Sequence, residues 1–436
     1  MPGRYDVVIA GAGIAGLSLA VLLSTEGRYS VLLLESGSAP GGRFRVVERD
    51  GYLLDWGVHA CLLGSRGAIG NVLRRCGSPV RIRPAGMAVF RDGRLLPFVG
   101  ERLLSVLGQK VLKAASLARF GSAALTVRGK PSYDITVSGW LGRNRSGEDL
   151  ESALKALSIG LLATDRYDRA SAGELFAFFR QVMRRGVAAG YPEGGWRPVL
   201  DALLETVKRS RRCEIRLNTR LGRVMAPGNR VEGVTAGGED IEAGAVVCAF
   251  PPQSLAGEVN IDPPLPDEYR HRLSSLEESV GLCIEMGLSR PVTGERRIAF
   301  SVDPPALLWA VSNVSPAVAP PGKQLLQFFS PIDKEKRDDR AFIAKRTGEL
   351  LELAAEAFEA SPDEEFRRVM VTTIGGVVPF AGQSRPHRPG IDVPGYDGLF
   401  IIGDGVSAGG LGGDLAARSA IVAEPMVADY LDNRAG

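Results

Sequence analysis

The chain has 436 residues, 45% of them apolar and 24% charged; this is a globular composition with room for two cores, and it excludes fibrous or low-complexity classes. The cysteines at 61, 76, 213, 248 and 283 include no C-x-x-C pair, and none of the three histidines stands at ligand spacing from another, so neither a disulfide framework nor a metal site is expected. The opening MPGRYD runs straight into VVIA, leaving no room for a signal peptide. No apolar run approaches the roughly 18 residues that would span a bilayer. The expected location is the cytoplasm or the inner membrane face.

The first predicted elements are strand, tight turn, helix and strand. Tyr5 to Ala10 reads as a buried parallel strand and leads at once into Gly11-Ala12-Gly13-Ile14-Ala15-Gly16. Helical spacing continues through Leu17, Ala20, Val21 and Leu22, and a second apolar run, Val31 to Leu34, ends in Glu35 and Ser36. Each glycine has a mechanical reason. Gly11 permits the turn, Gly13 lets backbone approach a diphosphate, and Gly16 lets helix pack on sheet. The diphosphate would meet the helix N-terminus, including Ile14 and Ala15. Glu35, 24 positions after Gly11, falls where an acid accepts from an adenosine ribose and repels a 2′-phosphate, which argues against NADP.

Ser38-Ala39-Pro40-Gly41-Gly42-Arg43 follows, and here the chain resembles the superfamily of FAD-dependent amine oxidases, phytoene desaturases and protoporphyrinogen oxidases. The resemblance implies a Rossmann-like, glutathione-reductase-type α/β domain binding FAD, with an inserted α+β substrate domain. It brings Arg43 near the cofactor phosphates, where a guanidinium fork suits an anion. The stretch Gly51 to His59 is similar to the family's G-F-x-x-D-x-G-x-H, so Gly57, Val58 and His59 are expected beside the flavin, with His59 the one candidate for catalysis. Pro192-Glu193-Gly194-Gly195-Trp196 is similar to the family's P-x-G-G, and Leu221 is assigned to the adenine contact through its backbone. Near the C-terminus, Gly398 to Gly405 and Gly409 to Gly413 resemble the second FAD motif, which brings in Gly403, Asp404, Gly410 and Leu411. By resemblance, residues 1–65, 191–252 and 373–436 form the FAD domain, and 66–190 and 253–372 the substrate domain.

In the second substrate interval Val280–Glu285, Ile298–Val302, Leu307–Ser312 and Leu325–Ser330 are predicted strands, and Asp338–Ala360 a helix. Trp309, Phe328 and Phe380 either line a substrate cavity or fill the core. The first interval is read as mostly helical. Residues 66–130 hold 13 Lys/Arg against Asp92 and Glu101, leaving about −8 for the rest of a chain of net charge +3. Between Arg102 and Phe120, Leu103, Leu104, Leu107, Val111, Ala114, Ala115 and Ala118 share one predicted helix face, and Ser105, Gln109, Lys113 and Ser116 the other. That basic amphipathic helix suits an anionic membrane surface, or packs inward as a substrate-domain helix. No reading motif accompanies the charge, so nucleic acid is not an expected partner.

The expected reaction is hydride transfer from a substrate C–H to flavin N5, desaturating a hydrophobic isoprenoid or polyene, with oxygen or a quinone as final acceptor. The Pro320–Lys323 loop is similar to that of phytoene-desaturase-like members. Amine or porphyrinogen oxidation is the alternative, although the approach Val377-Val378-Pro379-Phe380 carries no Trp/Tyr pair. A non-redox polyene isomerase or a saturase is a further one.

Overall fold

A computed structural model describes residues 3–25, 27–100, 111–358 and 363–435. Continuous apolar runs make strands buried on both faces, and the N-terminal sheet is built from them. Its parallel core takes Cys213–Arg216, Val31–Leu34, Arg4–Ala10, Glu239–Cys248 and Leu399–Ile401 in that spatial order. Leu221–Met225 and Gly233–Ala236 extend it antiparallel from Glu239–Cys248, and Asn260–Asp262, beyond the expected boundary at 252, adds a parallel edge. Val7, Val8, Ile9 and Val31 to Leu33 are fully buried. Helices Ile14–Thr25 and Gly412–Ala435 pack against each other, so the two chain ends meet.

The second sheet has seven strands. Glu364–Gly375, Ser279–Leu288, Gln324–Ile332, Ala306–Trp309 and Ile298–Ser301 pair antiparallel in that order. All ten residues of Ser279–Leu288 are buried, because alternate side chains serve two cores. Cys283, Leu325, Phe329, Leu307 and Trp309 join the core shared with the first sheet. Ile284, Met286, Leu326 and Phe328 face the helix Arg340–Ala357 instead.

The interval expected to be mostly helical also contributes strands. Met87–Arg91 and Arg94–Val99 form a hairpin that joins the second sheet through Ile298–Ser301. Its turn is Asp92-Gly93, both at positive φ (54° and 68°), as an Asp-Gly two-residue turn requires. The basic helix also differs from expectation. Residues 101–110 lie outside the described ones, and the helix observed runs Ala114–Thr126. Ser116, Phe120 and Ala124 are its buried residues, whereas Ala114, Ala115 and Ala118 are exposed. Phe120 decides the face: its ring packs on Phe98, Phe176 and Phe179, and each edge-to-face pair adds about 0.5–1.5 kcal/mol beyond burial, more than an alanine methyl offers.

Candidate cofactor and substrate site

The site begins where Arg4–Ala10 ends. Gly11 sits at φ 106° and donates its N–H to Leu34 O (2.7 Å), which turns the chain out of the sheet. A Cβ on Gly16 would lie 1.9 Å from Gly11 O, so helix and turn touch there and no side chain fits. Gly13 is the opposite case: a Cβ there would meet nothing within 4 Å. The following helix has no acid in its first turn, so its positive end is free to face an anion.

Gly11, Gly13, Ile14, Ala15, Glu35 and Ser36 line a cavity of about 450 Å³, together with Gly42, Arg43, Leu221, Gly403 and Asp404. Residues from both chain ends therefore share one space. Sequence reasoning missed Thr219, Arg220, Phe250, Pro251 and Ser254 in its wall, since only the fold brings these loops to the motif. The Glu35 carboxylate accepts from the N–H groups of Ala12 (2.9 Å) and Gly37 (2.7 Å), which fixes it at the cavity edge. Gly41 (φ 112°) donates to Ala12 O, so the second glycine turn lies on the first.

Arg43 lies on the cavity wall, but its fork is already engaged. Nη1 and Nη2 each donate to Asp404 at 2.8 Å, and Nη1 also donates to Ile374 O. Gly376 N–H donates to the same carboxylate. Burial by itself would raise the Asp404 carboxyl; the Arg43 guanidinium outweighs this and holds it below the usual carboxylate range. The pair is a bidentate ion-pair clasp between the two halves of the site, 361 residues apart in sequence.

A second cavity, about 130 Å³, shares Arg43, Phe44, Asp404 and Ala416 with the first. Val58, His59, Trp309 and Leu411 line it, with Leu161, Leu162, Leu307 and Val377 making the wall apolar. His59 is half-buried and donates Nε2–H to the carbonyls of Arg43 (2.7 Å) and Trp56 (3.2 Å). Burial lowers its pKa to about 4, so the ring is neutral and cannot serve as an acid near neutral pH. Its ring stacks on Phe44, and its carbonyl accepts from the Trp196 indole. Its Nε2–H holds the Arg43 turn while its ring lines the smaller cavity.

Five expected residues stand elsewhere. Gly16, Gly41 and Gly57 line none of the described cavities and serve the turns; at Gly57 (φ 115°) a Cβ would press on the His59 ring. Phe328 is fully buried on the far side of the second sheet, because strand alternation sends it to the helix while its neighbour Gln327 faces inward. Phe380 also lines none of the described cavities; its ring carries the Arg169 guanidinium at 4.0 Å. Gly410 and Leu411 line a third cavity of about 230 Å³, walled by arginines.

Sequence reasoning quoted Asp55 but gave it no role. It lies fully buried between the sheets, where Tyr191 Oη–H (2.6 Å) and Gln327 Nε2–H (3.1 Å) donate to its Oδ2. Gln327 also reaches Glu285 (3.3 Å), and Arg368 pairs with Glu285. Burial drives both carboxyls above their ordinary range, and one guanidinium offsets only part of it. Asp55 Oδ1 and Gln327 Oε1 have no partner.

Residues 14–420 match the family of flavin-containing amine oxidoreductases. The chain belongs to that family. It is an FAD-dependent oxidoreductase. Coproporphyrinogen III oxidase of Staphylococcus aureus (strain NCTC 8325 / PS 47) is 25% identical over 191 residues, spanning 40% of each protein, so less than half of that relative is matched. Phytoene dehydrogenase of Streptomyces griseus is 24% identical over 386 residues, 74% of this chain and 72% of that one. Among solved structures, an oxidoreductase from Methanosarcina mazei superposes with a TM-score of 0.80 at 19% identity, covering 96% of this flavoenzyme and 99% of that chain.

Proposed function

We propose that this flavoenzyme removes hydride from a C–H bond of an apolar substrate, most specifically an isoprenoid or polyene in which a new double bond forms. The observation that carries the reading is the apolar wall of the smaller cavity. Its acid, Asp404, is tied to Arg43, and its histidine, with a pKa lowered to about 4, is a poor base for an N–H or O–H substrate. When bound, FAD supplies the two-electron acceptor. Gly11 to Gly16 and the following helix N-terminus would hold its diphosphate, Glu35 and Leu221 the adenosine side, and Gly403, Asp404 and Leu411 the ring side. Residues 1–65, 191–252 and 373–436 would form that cofactor domain. The remainder excludes water and orients substrate against the cofactor. Substrates of this class reside in bilayers, and residues 66–130, with their basic excess, are the segment through which a cytoplasmic protein would meet an anionic inner face. Among the described residues no helix is long and apolar enough to cross a membrane.

A second reading, porphyrinogen oxidation, is favoured by the arginine-walled cavity, which suits an acidic tetrapyrrole. Anaerobic visible spectra separate the readings. Bleaching of the flavin by a lipid-dispersed polyene, and not by amines or porphyrinogens, supports the first. Bleaching only by a porphyrinogen replaces it with the second, and bleaching only by amines sinks both.

A further inference from the structure

The arginine-walled cavity of about 230 Å³ lies on the other side of the Gly409–Leu411 turn from the flavin-side cavity. Arg180, Arg184, Arg185, Arg385 and Arg418 contribute to its wall. Three of them are fastened by backbone carbonyls: Arg180 donates to Val127 O (2.5 Å), Arg185 to Arg66 O, and Arg418 to Ala408 O (3.1 Å). A guanidinium has five N–H donors, so one carbonyl leaves most of them for a ligand. Arg385 lies against Gly409, where an added Cβ would come within 3.0 Å of its guanidinium carbon. Among the described residues none of the five forms an ion pair.

One acid stands in this wall, and its charge is committed inward. Glu174 is 3% exposed, accepts the Arg385 backbone N–H (2.7 Å) and lies 4.0 Å from Arg388, which is 2% exposed and lines the flavin-side cavity. Asp414, 3% exposed, lies near Arg185 and Arg418, and Glu174 near Arg385, so two buried carboxylates serve five guanidinium groups and leave a net positive wall. Unpaired cations gathered around a concave space attract an anion, and planar forks select carboxylate or phosphate oxygens.

We propose that this cavity is an oxyanion site that takes the acidic end, carboxylate or phosphate, of the substrate whose apolar body occupies the flavin-side cavity. Leu411 lines both spaces, so the two cavities adjoin at that side chain. The assignment of the body rests on the polyene reading above; the oxyanion site itself does not.

The test uses FAD-loaded protein and calorimetric titration with inorganic pyrophosphate. Saturable binding is expected, weakened at least tenfold in Arg184→Gln/Arg385→Gln. Both residues are exposed and, unlike Arg180, Arg185 and Arg418, neither is fastened to a backbone carbonyl among the described residues, so flavin content and melting temperature should hold; Arg184→Gln alone gives the same reading with least disturbance. A C20 isoprenoid carboxylic acid should displace pyrophosphate, and its methyl ester should not. Pyrophosphate binding that the acid fails to displace would mean a site for a free anion and overturn the assignment to substrate. Absent binding, or binding equal in the variants, overturns the site altogether. Arginine-dependent binding in a protein whose flavin no polyene bleaches keeps the oxyanion site and removes the polyene reading.

Discussion

Replacing Asp55 with asparagine probes the buried contact between the two sheets. The carboxyl is 1% exposed and its pKa rises from 3.8 to about 7, burial being the main cause, with hydrogen bonds from Tyr191 and Gln327 working against it. The folded protein thus binds a proton here that the unfolded chain releases near pH 4. Stability from this group is full below that value and is lost as pH rises toward 7. A shift of about 3 units at about 1.4 kcal/mol each gives a loss of about 4 kcal/mol, an upper bound because Glu285 shares the same guanidinium. Asparagine stays neutral, still accepts from Tyr191, and supplies an N–H₂ to the unpartnered Gln327 Oε1. Melting curves of FAD-loaded protein from pH 4 to 9 should show the parent falling between about pH 4 and 7, with Asp55→Asn falling less steeply, its remaining slope that of Glu285, and more stable at pH 8. A variant with the parental slope, or one destabilised at pH 8, would refute the reasoning.

Other substitutions separate scaffold from site. Gly16→Ala drives a methyl into Gly11 O and should abolish soluble protein, whereas Gly13→Leu faces open space and should leave the apoprotein's melting temperature intact while FAD content collapses. Asp404→Asn leaves the Arg43 fork half-answered and should cost about 3 kcal/mol at pH 7 in a denaturant titration. Because the Asp404 pKa is lowered, that contribution exists above the unfolded carboxyl value and disappears in acid, so parent and variant should converge below about pH 4. With His59 neutral above about pH 4, flavin reduction rates should carry no ionisation near 6.5 that His59→Asn removes; a lost limb there would make His59 an acid or base after all. Sedimentation with phosphatidylserine vesicles at low salt, and release at high salt, is expected if residues 66–130 meet membrane; indifference to vesicle charge would dismiss it.

The cofactor half of the site was legible because its chemistry is local. A diphosphate needs a turn without side chains at the end of a strand, and Gly11, Gly13 and Gly16 state this within six residues. Strands were legible for a similar reason, since Val31–Leu34 and Gln324–Ile332 are continuous apolar runs. What failed was the choice of face. Phe328 and Gln327 are neighbours, and nothing in the run itself says which side the helix covers; Phe120 likewise outweighed the alanines because partners from distant segments stack on it. Asp55 stood in a recognised motif, yet its pKa is raised by burial under a second sheet whose strands lie more than 200 residues later, where Gln327 meets it.

Charge was the least legible signal. Counting along the chain singled out residues 66–130, where 13 basic residues face two acids. The arginines that gather around one cavity come instead from positions 180–185, 385 and 418, segments with no unusual local excess. A run of like charges spread over a surface is screened beyond about 8–10 Å and needs no partner. Five guanidinium groups lining a space of about 230 Å³ are too close for that screening, and the buried carboxylates of Glu174 and Asp414 offset only part of their charge. Convergence in three dimensions, rather than density along the sequence, is what turns basic residues into a binding site.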